Sequence, residues 1–194
     1  MTLVAVATDP APPPTLDPLV ARARAGDADA FARLYHQHVD AVHARLTRLI
    51  GPVPEREDLL QQIFLRVHRA LPRFRGDASF ATFVHAIAVN LALDHLRTRR
   101  RKPLDLDDDA VAAVASAADP AGRAADREVL AQVGALLSEL TADQRVAFVL
   151  IAIEGLSARE AGELVGASPD AVKQRAIAAR RALVARLARP RRTP

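Results

Sequence analysis

A chain of 194 residues with 27 Lys+Arg, 23 Asp+Glu and no Cys has room for one medium or two small domains, and for neither a disulfide framework nor a thiolate metal site. Half of its residues are hydrophobic but only 4% are aromatic and none is Trp, a balance of Ala, Leu and Val that suits helices better than sheets. No apolar run approaches the ~18 residues of a membrane-spanning helix, and no basic segment precedes an apolar stretch at the N-terminus, so a cytoplasmic, all-α protein without direct membrane insertion is expected.

Residues 1–15 contain Pro10, Pro12, Pro13 and Pro14 and read as a disordered lead-in. A first helical stretch is expected from about Asp17 to Ile50, with a break near Gly26-Asp27. Its apolar positions Phe31, Leu34, Tyr35, Val39, Val42, Leu46 and Leu49 recur at three- and four-residue spacing. Gly51-Pro52-Val53-Pro54 ends it. A second helix, from about Arg56 to Leu71, carries Leu59, Leu60, Ile63, Phe64 and Val67 and stops before Pro72. After the loop from Arg73 to Ala78, Ser79 is a cap for a third helix reaching about Arg101. The stretch from Pro103 to Asp126 is rich in Ala and Asp, with a run at Asp107-Asp108-Asp109, and reads as a linker. A second helical block follows from near Ala125 to Arg189. The expectation is two small helical domains, at residues 16–102 and 126–190, joined by a flexible acidic linker over 103–125 and followed by a tail at 191–194.

Charge is distributed unevenly over this frame. Residues 1–102 hold 15 basic and 10 acidic side chains, residues 103–128 hold 2 and 7, and residues 129–194 hold 10 and 6. A GC-rich genome accounts for the preference for Arg over Lys but not for its clustering. The run from Arg97 to Lys102 and the series from Arg180 to Arg192 read as electrostatic footprints for a polyanion.

The segment from Gly155 to Arg175 has the signals of a helix-turn-helix. Ser157 and Glu160 form an S-x-x-E capping box, Gly166 suits the left-handed end of a helix, Ser168 caps the next helix and Pro169 occupies its first turn. Such a motif lets its second helix enter a DNA major groove. On that helix Val172, Ala176, Ala179, Leu183 and Leu187 share the inward face. The opposite face carries Asp170, Gln174, Ile177, Ala178 and Arg181, flanked by Lys173, Arg175 and Arg180. Gln174 is suited to an adenine edge and Ile177 to a thymine methyl, with the flanking cations on phosphates. The plainer alternative is an αα-hairpin with a solvated basic face.

Taken alone, residues 55–102 are an amphipathic helix pair ending in a basic run, with Asp58, Gln61 and Gln62 on the polar side of the first helix. The wording of these segments adds more. Glu57-Asp58-Leu59-Leu60-Gln61-Gln62-Ile63-Phe64-Leu65-Arg66-Val67, then Leu71-Pro72-Arg73-Phe74-Arg75-Gly76-Asp77-Ala78-Ser79-Phe80-Ala81-Thr82-Phe83, then Ile87-Ala88-Val89-Asn90-Leu91-Ala92-Leu93-Asp94-His95-Leu96-Arg97 closely resemble region 2 of bacterial extracytoplasmic-function (ECF) sigma factors. The helix-turn-helix, with Glu154-Gly155-Leu156-Ser157 ahead of it, resembles region 4 of the same family. The two matches keep the family's order and spacing over most of residues 27–187.

The resemblance implies a dissociable RNA polymerase subunit that directs promoter-specific initiation. Region 2 would dock on the coiled coil of the polymerase β′ subunit and melt the −10 element, and region 4 would sit on the β flap and read the −35 element. By that match Asp58, Leu59, Gln61, Gln62 and Phe64 fall on the β′-docking helix. The loop from Phe74 to Thr82, with Arg75, Ser79 and Phe80, falls where the family captures an unstacked −10 base. Asn90, Asp94 and Arg97 lie on the helix beside it, and Arg99, Arg100, Arg101 and Lys102 fall on upstream phosphates. Ser168, Asp170, Lys173, Gln174, Arg175, Ile177, Arg180 and Arg181 fall at the −35 duplex. An anti-sigma factor is the expected inhibitor, and association with the nucleoid is expected within the holoenzyme.

The chain departs from the family in places. Many members carry Trp where this one has Phe83 or Val84 and an aromatic where it has His85. Where Gly-Thr-Val-Lys-Ser-Arg is common, this chain reads Asp170-Ala171-Val172-Lys173-Gln174-Arg175, and Ala178 stands where Arg is frequent. No phosphate-binding Gly-rich loop, G-x-S-x-G or H-E-x-x-H is present, so an enzyme is not expected. His36 and His43 share a helix face but lack a third ligand at suitable spacing, and no metal or cofactor is expected. The alternatives are a helix-turn-helix regulator acting without polymerase and a sigma-like decoy that titrates an anti-sigma factor.

Overall fold

The computed structural model describes residues 16–51, 53–101 and 136–188. The expected lead-in, acidic linker and tail lie outside the described residues, as does the expected start of the second block. All described secondary structure is helical.

The first helical stretch is two helices, α1 (Pro18–Arg24) and α2 (Ala28–Ile50), separated where Gly26 takes φ 95°. Each has its own Asp cap. The Asp17 carboxylate accepts from the Leu19 N–H at 2.7 Å, and the Asp27 carboxylate accepts from the Ala30 N–H at 2.9 Å. Helix α3 (Arg56–Ala70) gives way at Pro72 to a 3-10 turn over Leu71–Arg73. Helix α4 (Phe80–Arg101) starts where Ser79 Oγ accepts from the Thr82 N–H at 3.0 Å. Leu46, Leu49, Ile63, Val67, Val84 and Val89 are fully buried where α2, α3 and α4 meet, and Val20 brings α1 across the end of this bundle. Rings fill the rest, with Tyr35 edge-on to Phe64 at 4.6 Å and Phe74 tilted on Phe83 at 4.7 Å.

The second block is built from caps. Thr141 and Gln144 form a capping box at the start of α5 (Ala142–Phe148). A wider π turn over Val149–Ile153 follows, closed by the Glu154 N–H on the Val149 carbonyl at 2.9 Å. Ser157 and Glu160 form the expected capping box of α6 (Ala158–Val165), and Gly166 ends that helix at φ 64°. Ser168 Oγ accepts from the Ala171 N–H at 3.2 Å to open α7 (Pro169–Leu187). Gly162 makes the turn tight, since a Cβ there would stand 2.6 Å from the Ala167 carbonyl oxygen.

The inward face expected on α7 holds at Val172, Ala176 and Ala179 and ends near Leu183, which packs on Leu137 and Leu140. Leu187, expected inward, is 69% exposed, because the last turn of α7 runs past that cluster. The two blocks also share a continuous core that joins α4 to Val146, Ala147, Leu164 and Val172. Blocks this small bury little apolar surface alone and gain by packing together.

Candidate nucleic-acid and partner surfaces

Three surfaces collect the residues singled out in the sequence. On α3, Asp58, Gln61 and Gln62 are exposed in a row, while Leu59 and Phe64 are each only 6% exposed and belong to the core. Those two hold the helix in place from beneath and are not available to a partner. Leu65, which helical phase alone did not single out, stands 56% exposed beside the row. A Leu between Phe64 and Arg66, one turn after Gln61 and Gln62, was its only sequence signal.

The second surface is a cleft of about 550 Å³ between the start of α1, the middle of α2 and the loop leading into α4. Leu34, His38, Phe74, Ser79 and Phe80 are among its lining. Arg24 donates to the Phe74 carbonyl at 3.1 Å and pins the loop, while Gly76 at φ 84° passes where a Cβ would stand 2.8 Å from Leu16. Phe80 is buried, edge-on to His38 at 5.3 Å, and Phe74 and Phe83 are half-buried. Burial pushes the His38 imidazole down from its usual range, which keeps this wall of the cleft neutral. Arg75 is exposed at the rim, and the Ser79 and Thr82 hydroxyls lie 2.9 Å apart. The cleft thus combines apolar ring surface with the Ser79 hydroxyl and the polar side chains of Asp17, Gln37, His38 and Asp77.

Asn90, Asp94 and Arg97 follow along α4, exposed at spacings of four and three residues. Two of them meet the second block. Asn90 Nδ2 donates to the Leu164 carbonyl at 3.3 Å, and Arg97 Nη2 pairs with Asp143 at 2.9 Å. Arg100 and Arg101 lie on the last turn of α4, and their side chains fall outside the described residues.

The third surface is α7. Ser168, Asp170, Lys173, Gln174, Arg180 and Arg181 are exposed, and Ile177 is half-buried among them. Arg175 pairs with Asp143 at 3.4 Å, so one carboxylate takes an arginine from each block. Among the described residues no group of three or more His, Cys, Asp or Glu is placed to hold a metal ion. His36 lies edge-on to Tyr35, and His43 reaches Glu57 at 3.3 Å.

Comparison with known proteins gives this arrangement a family. Residues 34–102 match the Sigma-70 region 2 model and residues 130–183 match the Sigma-70, region 4 model. The RNA polymerase sigma-H factor of Pseudomonas aeruginosa is 33% identical over 173 residues, which cover 85% of this chain and 90% of that one. The ECF RNA polymerase sigma factor SigM of Mycobacterium tuberculosis is 34% identical over 172 residues, covering 88% and 82%. Among solved structures, CnrH in complex with the cytosolic domain of CnrY superposes with a TM-score of 0.62 at 29% identity, over 87% of this chain and 94% of that one. The chain belongs to the ECF group of the sigma-70 family. Its function is that of a sigma factor, a transcription initiation subunit of a family that binds RNA polymerase and promoter DNA.

Proposed function

We propose a division of labour within that function. The exposed row Asp58, Gln61 and Gln62, with Leu65 beside it, docks the chain on the polymerase β′ coiled coil. The cleft at Phe74, Ser79 and Phe80 receives one unstacked base of the −10 strand. Asn90, Asp94 and Arg97 follow that strand along α4, and Arg75 with the Arg99–Arg101 run neutralises its phosphates. Helix α7 enters the −35 major groove, with Gln174 and Ile177 on base edges and Lys173, Arg175, Arg180 and Arg181 on the backbone.

The observation that carries this reading is the cleft. It offers the rings of Phe74 and Phe80 and the Ser79 hydroxyl at the start of a helix whose exposed side continues as Asn90, Asp94 and Arg97. Flipping a base costs a few kcal/mol of stacking, so capture needs a preformed apolar slot. Asp170 at the first turn of α7 sits at the positive end of the helix dipole, where it either stabilises the helix or accepts from a cytosine amine. The protein acts in the cytoplasm, without catalytic chemistry of its own, and an anti-sigma protein restrains it.

Run-off transcription with bacterial core polymerase over a pool of genomic promoter fragments tests the reading. Discrete transcripts are expected, and Asp58→Ala with Gln61→Ala abolishes them while Phe74→Ala weakens them on duplex but much less on pre-melted templates. Core binding without any transcript favours the decoy. Absence of core binding overturns the docking surface.

A further inference from the structure

We propose that α4 and α5 together form a binding site for a phosphate group, held by His95 and Arg99 of the first block and Arg145 of the second. The site is separate from the residue roles given above, in which only Arg99 of the three takes part.

Elsewhere along the seam between the two blocks, arginines meet carboxylates. Glu154 takes Arg45 at 2.7 Å and Arg48 at 2.9 Å, and Asp143 takes Arg97 at 2.9 Å and Arg175 at 3.4 Å. Arg145 of α5 is different. It is 6% exposed, its Nε has no hydrogen-bond partner, and no carboxylate pairs with it among the described residues. His95 Nε2 is likewise buried without a partner. Arg99 stands one turn further along α4 than His95, exposed and without an ion pair among the described residues. The three positive groups act on one another, since Arg99 and Arg145 both oppose protonation of His95, and Arg99 opposes the charge on Arg145. Glu55, exposed at the end of the loop that starts at Gly51, pulls His95 the other way.

Buried polar groups are normally hydrogen-bonded, and buried cations are normally paired. Here a guanidinium and an imidazole break both rules beside a third basic group. Burial first, then the positive Arg99, push the Arg145 pKa down to about 10, so the guanidinium is still charged at neutral pH. A water molecule satisfies an N–H but brings no counter-charge. A dianion supplies the acceptor and the charge together.

The kind of dianion follows from the donors. Groups converging from two helices suit a tetrahedral ligand with several free oxygens, and a guanidinium fork matches two oxygens of a phosphate. Arg145 carries its fork to the loop after α2, where a Cβ on Gly51 would stand 3.5 Å from Nη2. A glycine at this point keeps a side chain off the fork. Arg99 and Glu55 are exposed and Gly51 is half-buried, which sets the entrance between the end of α4 and the loop from Gly51 to Glu55. Two sources carry such a group: a soluble phosphate or phosphate ester, and the backbone of duplex DNA lying on Arg99. Both present the same chemistry to the three side chains.

Isothermal titration of the full chain at constant ionic strength tests the site, with pyrophosphate and sulfate as probes. Saturable binding is expected, weakened about tenfold or more in Arg145→Met and in His95→Gln. Arg145→Met places an apolar chain where the unpaired cation lay, so its helical circular dichroism is expected to stay unchanged. Sulfate keeps its two charges across the physiological range, so its pH dependence reports on the protein. Its affinity is expected to rise from about pH 8 to pH 6 in the parent, as His95 takes up a proton against Arg99 and Arg145 with Glu55 in support. The rise is expected to flatten in His95→Gln. No saturable binding of either probe, or equal binding by the parent and both variants, overturns the site. A duplex oligonucleotide then separates the two sources. If the duplex displaces pyrophosphate and loses affinity equally in Arg145→Met, the phosphate is that of DNA. If pyrophosphate stays bound beside the duplex, the ligand is a soluble phosphate.

Discussion

The two blocks reach stability by different routes. The first holds six of the seven aromatic residues, and its helices are joined by ring contacts and by large fully buried side chains such as Leu46, Leu49 and Ile63. The second has only Phe148, and much of its interior is Ala and Val: Ala142, Val146, Ala147, Val149, Ala161, Val172, Ala176 and Ala179. It compensates with two complete capping boxes, a left-handed glycine and a serine-capped recognition helix. A bulky core makes a rigid wall for a cleft, whereas a capped, small-residue motif makes a thin unit that leans on its neighbour.

Substitutions should separate the two routes. Leu46→Ala, at a fully buried site of the first block, is expected to cost ~2–5 kcal/mol in urea unfolding followed by circular dichroism. A loss below 1 kcal/mol would refute the view that large-side-chain packing supports this block. Gly162→Ala strikes the second block through geometry, because the new Cβ meets the Ala167 carbonyl oxygen at 2.6 Å. A loss of ~1–3 kcal/mol is expected, with −35 duplex binding lost along with it. Gly166→Ala, which meets nothing within 4 Å, should cost only the ~1 kcal/mol of a left-handed Ala.

Smaller still are the caps. Ser157→Ala should lower stability by ~1 kcal/mol, as should Ser79→Ala in the first block. A distinguishing effect is the acid limb. The Ser157 hydroxyl and N–H bonds hold the Glu160 carboxyl below its usual range, so their stabilisation is present above about pH 4.5 and lost as pH falls below it. Thermal unfolding against pH should show that limb flattened in Ser157→Ala and unchanged in Ser79→Ala.

The most gradual effect belongs to His85, which lies near Arg45 and Glu154. Burial, then the positive Arg45, push its pKa down to about 4, with Glu154 pulling the other way, and its Nδ1 has no hydrogen-bond partner. The unfolded chain takes up a proton near pH 6.5 that the folded chain refuses until about pH 4. Stability should therefore decline as pH falls across that window and level off below it. His85→Phe should shrink the decline without abolishing it, because burial also pushes the His38 and His95 imidazoles down, as read from the unfolding midpoint at each pH.

Much of this molecule was legible as text. Period and punctuation gave α1 to α4 their bounds, because a helix end needs its own cap or breaker: Asp17, Asp27, Ser79, Gly26 and Pro72 are all local signals. The helix-turn-helix was legible for the same reason, down to which side chain bonds which N–H. The cleft was half legible: its rings and its loop were in the sequence, but Leu34 and His38 reach it from α2 only through tertiary packing. Leu59 and Phe64 show the limit in the other direction, since a motif match does not say which members of a docking helix face inward.

The sequence by itself determined the family, the helices, their caps and the exposed polar face of α7, all set by interactions within a few residues or by the wording of two motifs. Tertiary structure alone decided that the blocks share one core, that Glu154 finds Arg45 and Arg48 more than a hundred residues away, and that Asp143 bridges Arg97 and Arg175. Contacts between distant segments depend on how folded surfaces meet, and neither period nor spacing along a chain encodes that meeting.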